Sequence, residues 1–110
     1  MPNQELTRVF HALSDPTRRA VLERLTRGPA AVGELAQPFR MALPSFVQHL
    51  GVLEECCLVR SKKQGRVRTY ILAPQPLTAA ERWLSDQRVH WERRLDSLDN
   101  FLQTLKEQEP

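Results

Sequence analysis

The chain has 110 residues, with 16 Lys and Arg against 13 Asp and Glu, and 41% of its residues are apolar. That composition excludes a disordered chain, and its length suits one small domain. The net charge of +3 is modest. Its distribution is more telling: residues 56–72 carry only positive charge, while the last fifteen set Asp96, Asp99, Glu107 and Glu109 against a single Lys106. No run of 18 apolar residues is present and the N-terminus lacks a leader pattern, so the expectation is a cytoplasmic protein. Cys56 and Cys57 are adjacent, a spacing that rarely closes a disulfide.

In chain order, the first helix is expected over Glu5–Leu13, with Leu6, Val9, Phe10 and Leu13 on one face. Asp15 followed by Pro16 reads as an N-cap with proline at the first helical position. A second helix should then run to Arg27, burying Ala20, Val21, Leu22 and Leu25 and stopping at Gly28-Pro29. A third is expected over Val32–Phe39, with Leu35, Ala36 and Phe39 inward and Gln37-Pro38 limiting it. After a break at Arg40–Ala42, a fourth should extend from Leu43-Pro44 to Cys56. Its inward positions are read as Leu43, Val47, Leu50 and Leu53, and Phe46 fits either the core or an exposed apolar contact. Pro44, Ser45, Gln48, His49, Gly51 and Val52 face out.

A strand opens at Leu58-Val59, and Gln64-Gly65 reads as a two-residue hairpin turn. In the returning strand Val67, Thr69 and Ile71 alternate with Arg66, Arg68 and Tyr70. Five basic residues and no acid lie between Arg60 and Arg68. After Ala73-Pro74-Gln75-Pro76, a long last helix is expected over Leu77–Lys106. In it Leu77, Leu84, Trp91, Leu98 and Leu105 recur every seven residues, widened by Leu95, Phe101 and Leu102. A stripe that long exceeds what one small domain covers, which points to pairing between copies. The expected class is therefore mostly α (α+β): one winged helix-turn-helix domain over 1–110, with a two-stranded wing and dimerisation helices at about 5–13 and 77–106.

The segments FHALSDPTRRAVLERL (10–25), VGELAQPFRMALPSFVQHLGVLEECCLV (32–59) and KKQGRVRTYIL (62–72) resemble the ArsR/SmtB family of winged-helix repressors, in the branch without an obvious metal site. The resemblance covers nearly the whole chain. It implies a homodimer that binds double-stranded DNA at an imperfect inverted repeat, the fourth helix in the major groove and the wing along the backbone or minor groove. Pro44, Ser45, Gln48 and His49 are the candidates for base contact. Arg40, Arg60, Lys62, Lys63, Arg66 and Arg68 are the candidates for phosphate. Of Arg18 and Arg19, one is expected to reach phosphate and the other to pair with Glu54 or Glu55. Leu6, Phe10, Leu77, Leu84, Trp91, Leu95, Leu98, Leu102 and Leu105 are the candidate dimer residues.

The chain departs from the family pattern at three places: Val47 where serine is frequent, Gly51 where lysine or arginine is, and Cys57 where the helix ordinarily ends in glycine. The helix that holds the cysteine motif of metal-sensing members has no cysteine here, and Asp86 with His90 lacks a second histidine, so neither metal nor cofactor is expected and any effector stays unidentified. A thiol- or metal-responsive sensor on the same scaffold and a winged-helix protein-interaction module are the alternatives. No nucleophile–base set or glycine-rich phosphate loop points to an enzyme.

Overall fold

The computed structural model describes residues 2–108, with side chains from Gln4. The elements are α1 (Pro2–Leu13), α2 (Pro16–Leu25), β1 (Ala30–Ala31), α3 (Val32–Ala36), α4 (Leu43–Glu55), β2 (Val59–Gln64), β3 (Val67–Leu72) and α5 (Gln75–Glu107). They fall into two compact units, one reaching to Ala80 and one starting at Glu81.

In the first unit, Val9 and Ala12 of α1 are buried with Val21, Leu22 and Leu25 of α2, Leu35 of α3, and Phe46, Leu50 and Leu53 of α4. Leu58, Val59 and Tyr70 close this core from the sheet side. The Phe39 and Phe46 rings lie 5.3 Å apart between centroids at 32°, within the range favourable to aromatic pairs.

The sheet has the order β1-β3-β2, antiparallel throughout. β1 is an addition to the expected two-stranded wing. Two alanines carry no strand signal of their own, and Ala30 and Ala31 are extended because they pair with Tyr70 and Thr69. The hairpin is shifted by one residue from the sequence expectation. Gln64 pairs with Val67, so the two turn residues are Gly65 and Arg66 rather than Gln64 and Gly65. Gly65 has φ +64° and occupies the first central position, where a tight hairpin that turns with the strand twist favours glycine.

Helix boundaries follow local chemistry. Asp15 takes an extended conformation and its side chain accepts the backbone N–H of Arg18 at 3.0 Å, with Pro16 starting α2. α2 ends at Leu25 rather than Arg27, and α3 at Ala36 rather than Phe39, just short of Pro38. α5 starts two residues before Leu77, at Gln75.

α4 ends in a double reversal: the N–H of Leu58 reaches Leu53 O at 3.0 Å and that of Cys57 reaches Glu54 O at 3.0 Å. This is the Schellman pattern, whose pivot residue is left-handed and usually glycine. Cys57 fills it with φ +62°, the one positive φ at a non-glycine among the described residues. The reversal turns the chain from α4 straight into β2, and Leu53 and Leu58, both fully buried, brace it.

Two substitutions should therefore raise stability, as read by the urea midpoint. Cys57→Gly should gain about 1 kcal/mol by removing the Cβ penalty in the left-handed region. Gly51→Ala should gain up to about 1 kcal/mol in helix propensity, because a Cβ there meets nothing within 4 Å.

Candidate nucleic-acid interface

α3, the break at 37–42 and α4 form the helix-turn-helix. α4 is seated by Phe46, Leu50 and Leu53, each no more than 1% exposed. At about 100° per residue, the opposite face carries Pro44, Gln48 and Gly51, with Ser45 and Val47 on its flanks. Pro44, Ser45 and Gln48 are exposed. Leu43 and Val47 correct the sequence reading, which placed both inward: they are 55% and 45% exposed. Hydropathy alone assigns any apolar residue to the core, but the rotation of α4 is set by the larger Phe46–Leu50–Leu53 ridge. Val47 thus stands exposed on the flank of the bare face. Ala42 starts α4 with no side-chain cap, so the first-turn N–H groups are open to an anion.

The wing follows directly. Arg60, Lys62, Lys63, Arg66 and Arg68 are all exposed, as is Arg40 in the break. Lys63 sits directly across from Arg68, a like-charged pair that costs stability unless an anion lies nearby. Arg68 is partly engaged: its Nη1 donates to Ser61 Oγ at 2.8 Å, and Ser61 Oγ donates to Glu54 Oε1 at 2.6 Å. This relay ties the middle of the wing to the last turn of α4. Tyr70 lies across from Ser61. Burial, with Glu54 nearby, pushes its hydroxyl pKa up, so it stays protonated.

His49, expected to face outward with Ser45 and Gln48, turns to the α1–α2 junction instead. Its Nδ1 lies 3.2 Å from Arg18 Nη1 and 3.6 Å from Asp15 Oδ2, and its side chain is 23% exposed. Arg18 and Arg19 also depart from expectation. Neither contacts Glu54 or Glu55: Arg18 is buried and donates to Ala12 O and His11 O, and Arg19 donates to Leu13 O. Both arginines serve the last carbonyls of α1, which a cation complements. Burial alone would raise the Asp15 carboxyl. The backbone N–H of Arg18, the His49 ring, the Arg18 guanidinium and the Thr17 N–H outweigh it and hold the pKa below its ordinary value.

The two thiols differ. Cys56 is buried, and burial pushes its pKa up, which disfavours the thiolate. Cys57 is exposed. No group of three or more His, Cys, Asp or Glu gathers as metal donors among the described residues. Within α5, Leu77 is half-buried and packs on the first unit's core rather than standing free in the heptad stripe. Leu84, Trp91, Leu95, Leu98, Leu102 and Leu105 are 46–66% exposed. In α1, Leu6 is half-buried and Phe10 is 37% exposed.

A reading helix with a bare face, joined by a tight reversal to a basic hairpin, defines a winged helix-turn-helix protein. A family profile described as "Helix-turn-helix domain" matches residues 13–61. The chain is 43% identical over 88 residues to the HTH-type transcriptional regulator Rv2034 of Mycobacterium tuberculosis, spanning 80% of this chain and 79% of that protein. It is 32% identical to the transcriptional repressor SdpR of Bacillus subtilis, over 72% of this chain and 88% of that one. Among solved structures, an ArsR family transcriptional regulator superposes with TM-score 0.79 at 56% identity, covering 82% of this chain and 93% of the other. An ArsR-like transcriptional regulator from Rhodococcus superposes at 0.75 with 33% identity, over 90% and 93%. The chain belongs to the ArsR family of winged helix-turn-helix transcriptional regulators.

Asp15→Ala should cost about 1 kcal/mol in the urea midpoint at neutral pH, the ordinary worth of an N-cap. A depressed carboxyl pKa stabilises the fold above the unfolded value and loses that stabilisation as pH falls through the folded one. The difference between parent and variant should therefore shrink below about pH 4.

Proposed function

We propose that the protein is a homodimeric, sequence-specific repressor that occupies an imperfect inverted repeat in duplex DNA. The observation that carries this reading is the pairing of a bare α4 face with a hairpin whose five cations are all exposed and unopposed by acid between 60 and 68. Pro44, Ser45, Val47 and Gln48 face the base edges. Gln48 can bond adenine twice through its carboxamide, and Val47 and Pro44 offer apolar surface to a thymine methyl. Arg40, Arg60, Lys62, Lys63 and Arg66 hold phosphates, joined by Arg68 from its bond to Ser61. These ionic contacts set affinity and orientation, while α4 sets sequence.

Repression is supported by relatives named as repressors, SdpR and the arsenical resistance operon repressor of Staphylococcus xylosus, the latter 31% identical over 66% of this chain and 69% of that protein. The homodimer is supported by the exposed apolar stripe of α5 from Leu84 to Leu105, since monomers seldom leave so much contiguous apolar surface bare. Phe10 supplies apolar surface on α1. Two-fold pairing places the two reading helices about 34–36 Å apart, one turn of DNA. No helix of the described residues is long and apolar enough to cross a membrane, and the protein acts in the cytoplasm, where its DNA lies.

Selection of bound duplexes from a random pool at two salt concentrations tests this. An inverted repeat with half-sites about one turn apart, bound more weakly at the higher salt, is the expected product. No enrichment at either salt would defeat the reading. Gln48→Ala should relax preference at one base position by about 1–3 kcal/mol, and Lys62→Ala should weaken all sequences alike and lower the salt slope by about one. Leu98→Asp should convert the dimer to a monomer by sedimentation equilibrium.

A further inference from the structure

Arg18 is the one buried charged side chain among the described residues, 8% exposed. Its guanidinium is engaged on three sides. Nε donates to Ala12 O at 2.8 Å and Nη2 to His11 O at 2.9 Å, both at the end of α1, and Nη1 lies 3.2 Å from His49 Nδ1 on α4. A guanidinium has only donors, so this contact is a hydrogen bond with Nδ1 as the acceptor, which places the ring hydrogen on Nε2. Asp15 Oδ2, at 3.6 Å from the same nitrogen, lies beyond hydrogen-bond length and is occupied by the Arg18 N–H at 3.0 Å. The distances assign the His49 lone pair to Arg18.

This arrangement is costly to disturb. A buried guanidinium requires its donors to be met, and no buried side-chain nitrogen or oxygen among the described residues lacks a partner. His49 also follows Gln48 directly and stands one turn from Ser45, so its tether fixes the azimuth of the residues proposed to read bases. A rotation of α4 by about 10° would move a side-chain tip 5–6 Å from the helix axis by about 1 Å. The distance window of a good hydrogen bond is narrower than that.

We propose that Arg18 and His49 form a positioning pair: His49 serves DNA reading through its bond to Arg18, which fixes the rotation of α4 against the α1–α2 junction, and it does not itself read a base. The inference deepens the DNA-reading function proposed above and rests on it. It reassigns the one candidate base contact that the fold draws away from the bare face, and it makes Arg18 a determinant of specificity without contact to DNA.

Replacement at the two ring nitrogens tests the pair. Asn places an acceptor oxygen where Nδ1 sits, and Gln places its carboxamide where Nε2 sits. His49→Asn, His49→Gln and Arg18→Lys are compared with the parent by fluorescence anisotropy. The probes are the duplex enriched by selection, its single-base-pair variants and a random duplex, with folding of each variant checked by urea denaturation. His49→Asn should bind within about twofold of the parent, whereas His49→Gln and Arg18→Lys should lose about tenfold on the selected duplex and little on the random one, the worth of one charge-assisted bond. Preference should flatten together at every position under α4.

Retained binding by His49→Gln, with loss at a single base pair in His49→Asn, would instead make His49 a direct reader and overturn the proposal. Parent-like specificity in Arg18→Lys would overturn it too, as would equal losses on selected and random duplexes in every variant. Where Arg18→Lys fails to fold, the two His49 variants decide. Absence of any enriched duplex for the parent would defeat the DNA-reading function itself, and the pair with it.

Discussion

The seating of α4 governs the protein. Phe46, Leu50 and Leu53 are buried almost completely, and truncating a phenylalanine in such a place costs about 3–5 kcal/mol. That burial leaves α4 with one rotation, and its opposite side falls to Pro44 and Gln48, with Ser45 and Val47 exposed on the flanks. The left-handed pivot at Cys57 then sends the chain into β2, so the basic hairpin starts where the reading helix stops. The Glu54–Ser61–Arg68 relay adds a polar brace between the two. The stretches proposed to give specificity and affinity thus adjoin in the chain and differ in chemistry, one poor in charge and one rich in cations.

That division has an energetic logic. Cations on the wing act at long range and depend on salt, and they bind any phosphate backbone. They cannot choose a sequence. On the proposed reading, the bare face of α4 supplies fewer contacts, each worth about 1–3 kcal/mol of discrimination, and each demands a fixed geometry. The packed core accordingly lies behind α4, where a buried arginine joins the end of α1 to that helix, while the wing cations stand in solvent.

Much of this was legible in the sequence because the signals are local. Asp15-Pro16 marks a helix start wherever it occurs, glycine at 65 marks a tight turn, and spacings of three and four locate most helices. The reversal at Cys57 was legible only through the family resemblance, in which the helix ordinarily ends in glycine at that place. What escaped depends on contacts between distant residues. Leu43 and Val47 look like core residues by type, and only the Phe46 ridge shows that they face out. Ala30-Ala31 becomes a strand because β3 lies beside it. Arg18, within a run that reads as surface, is buried because the carbonyls of His11 and Ala12 and the ring of His49 meet it there. Its signal was present only in hindsight, as a helix C-terminus followed a few residues later by a cation. The seven-residue repeat of α5 was plain in the sequence, yet Leu77, its first member, packs on the first unit's core instead.

Backbone amide shifts followed by NMR during titration with the selected duplex give the decisive comparison. Perturbations should concentrate at 43–48 and 60–68, with the buried residues of α2 little changed. Shifts centred on α2 or on the outer face of α5, with α4 and the wing left as in the free protein, would contradict the idea that the seated reading helix and the adjoining hairpin form the DNA surface.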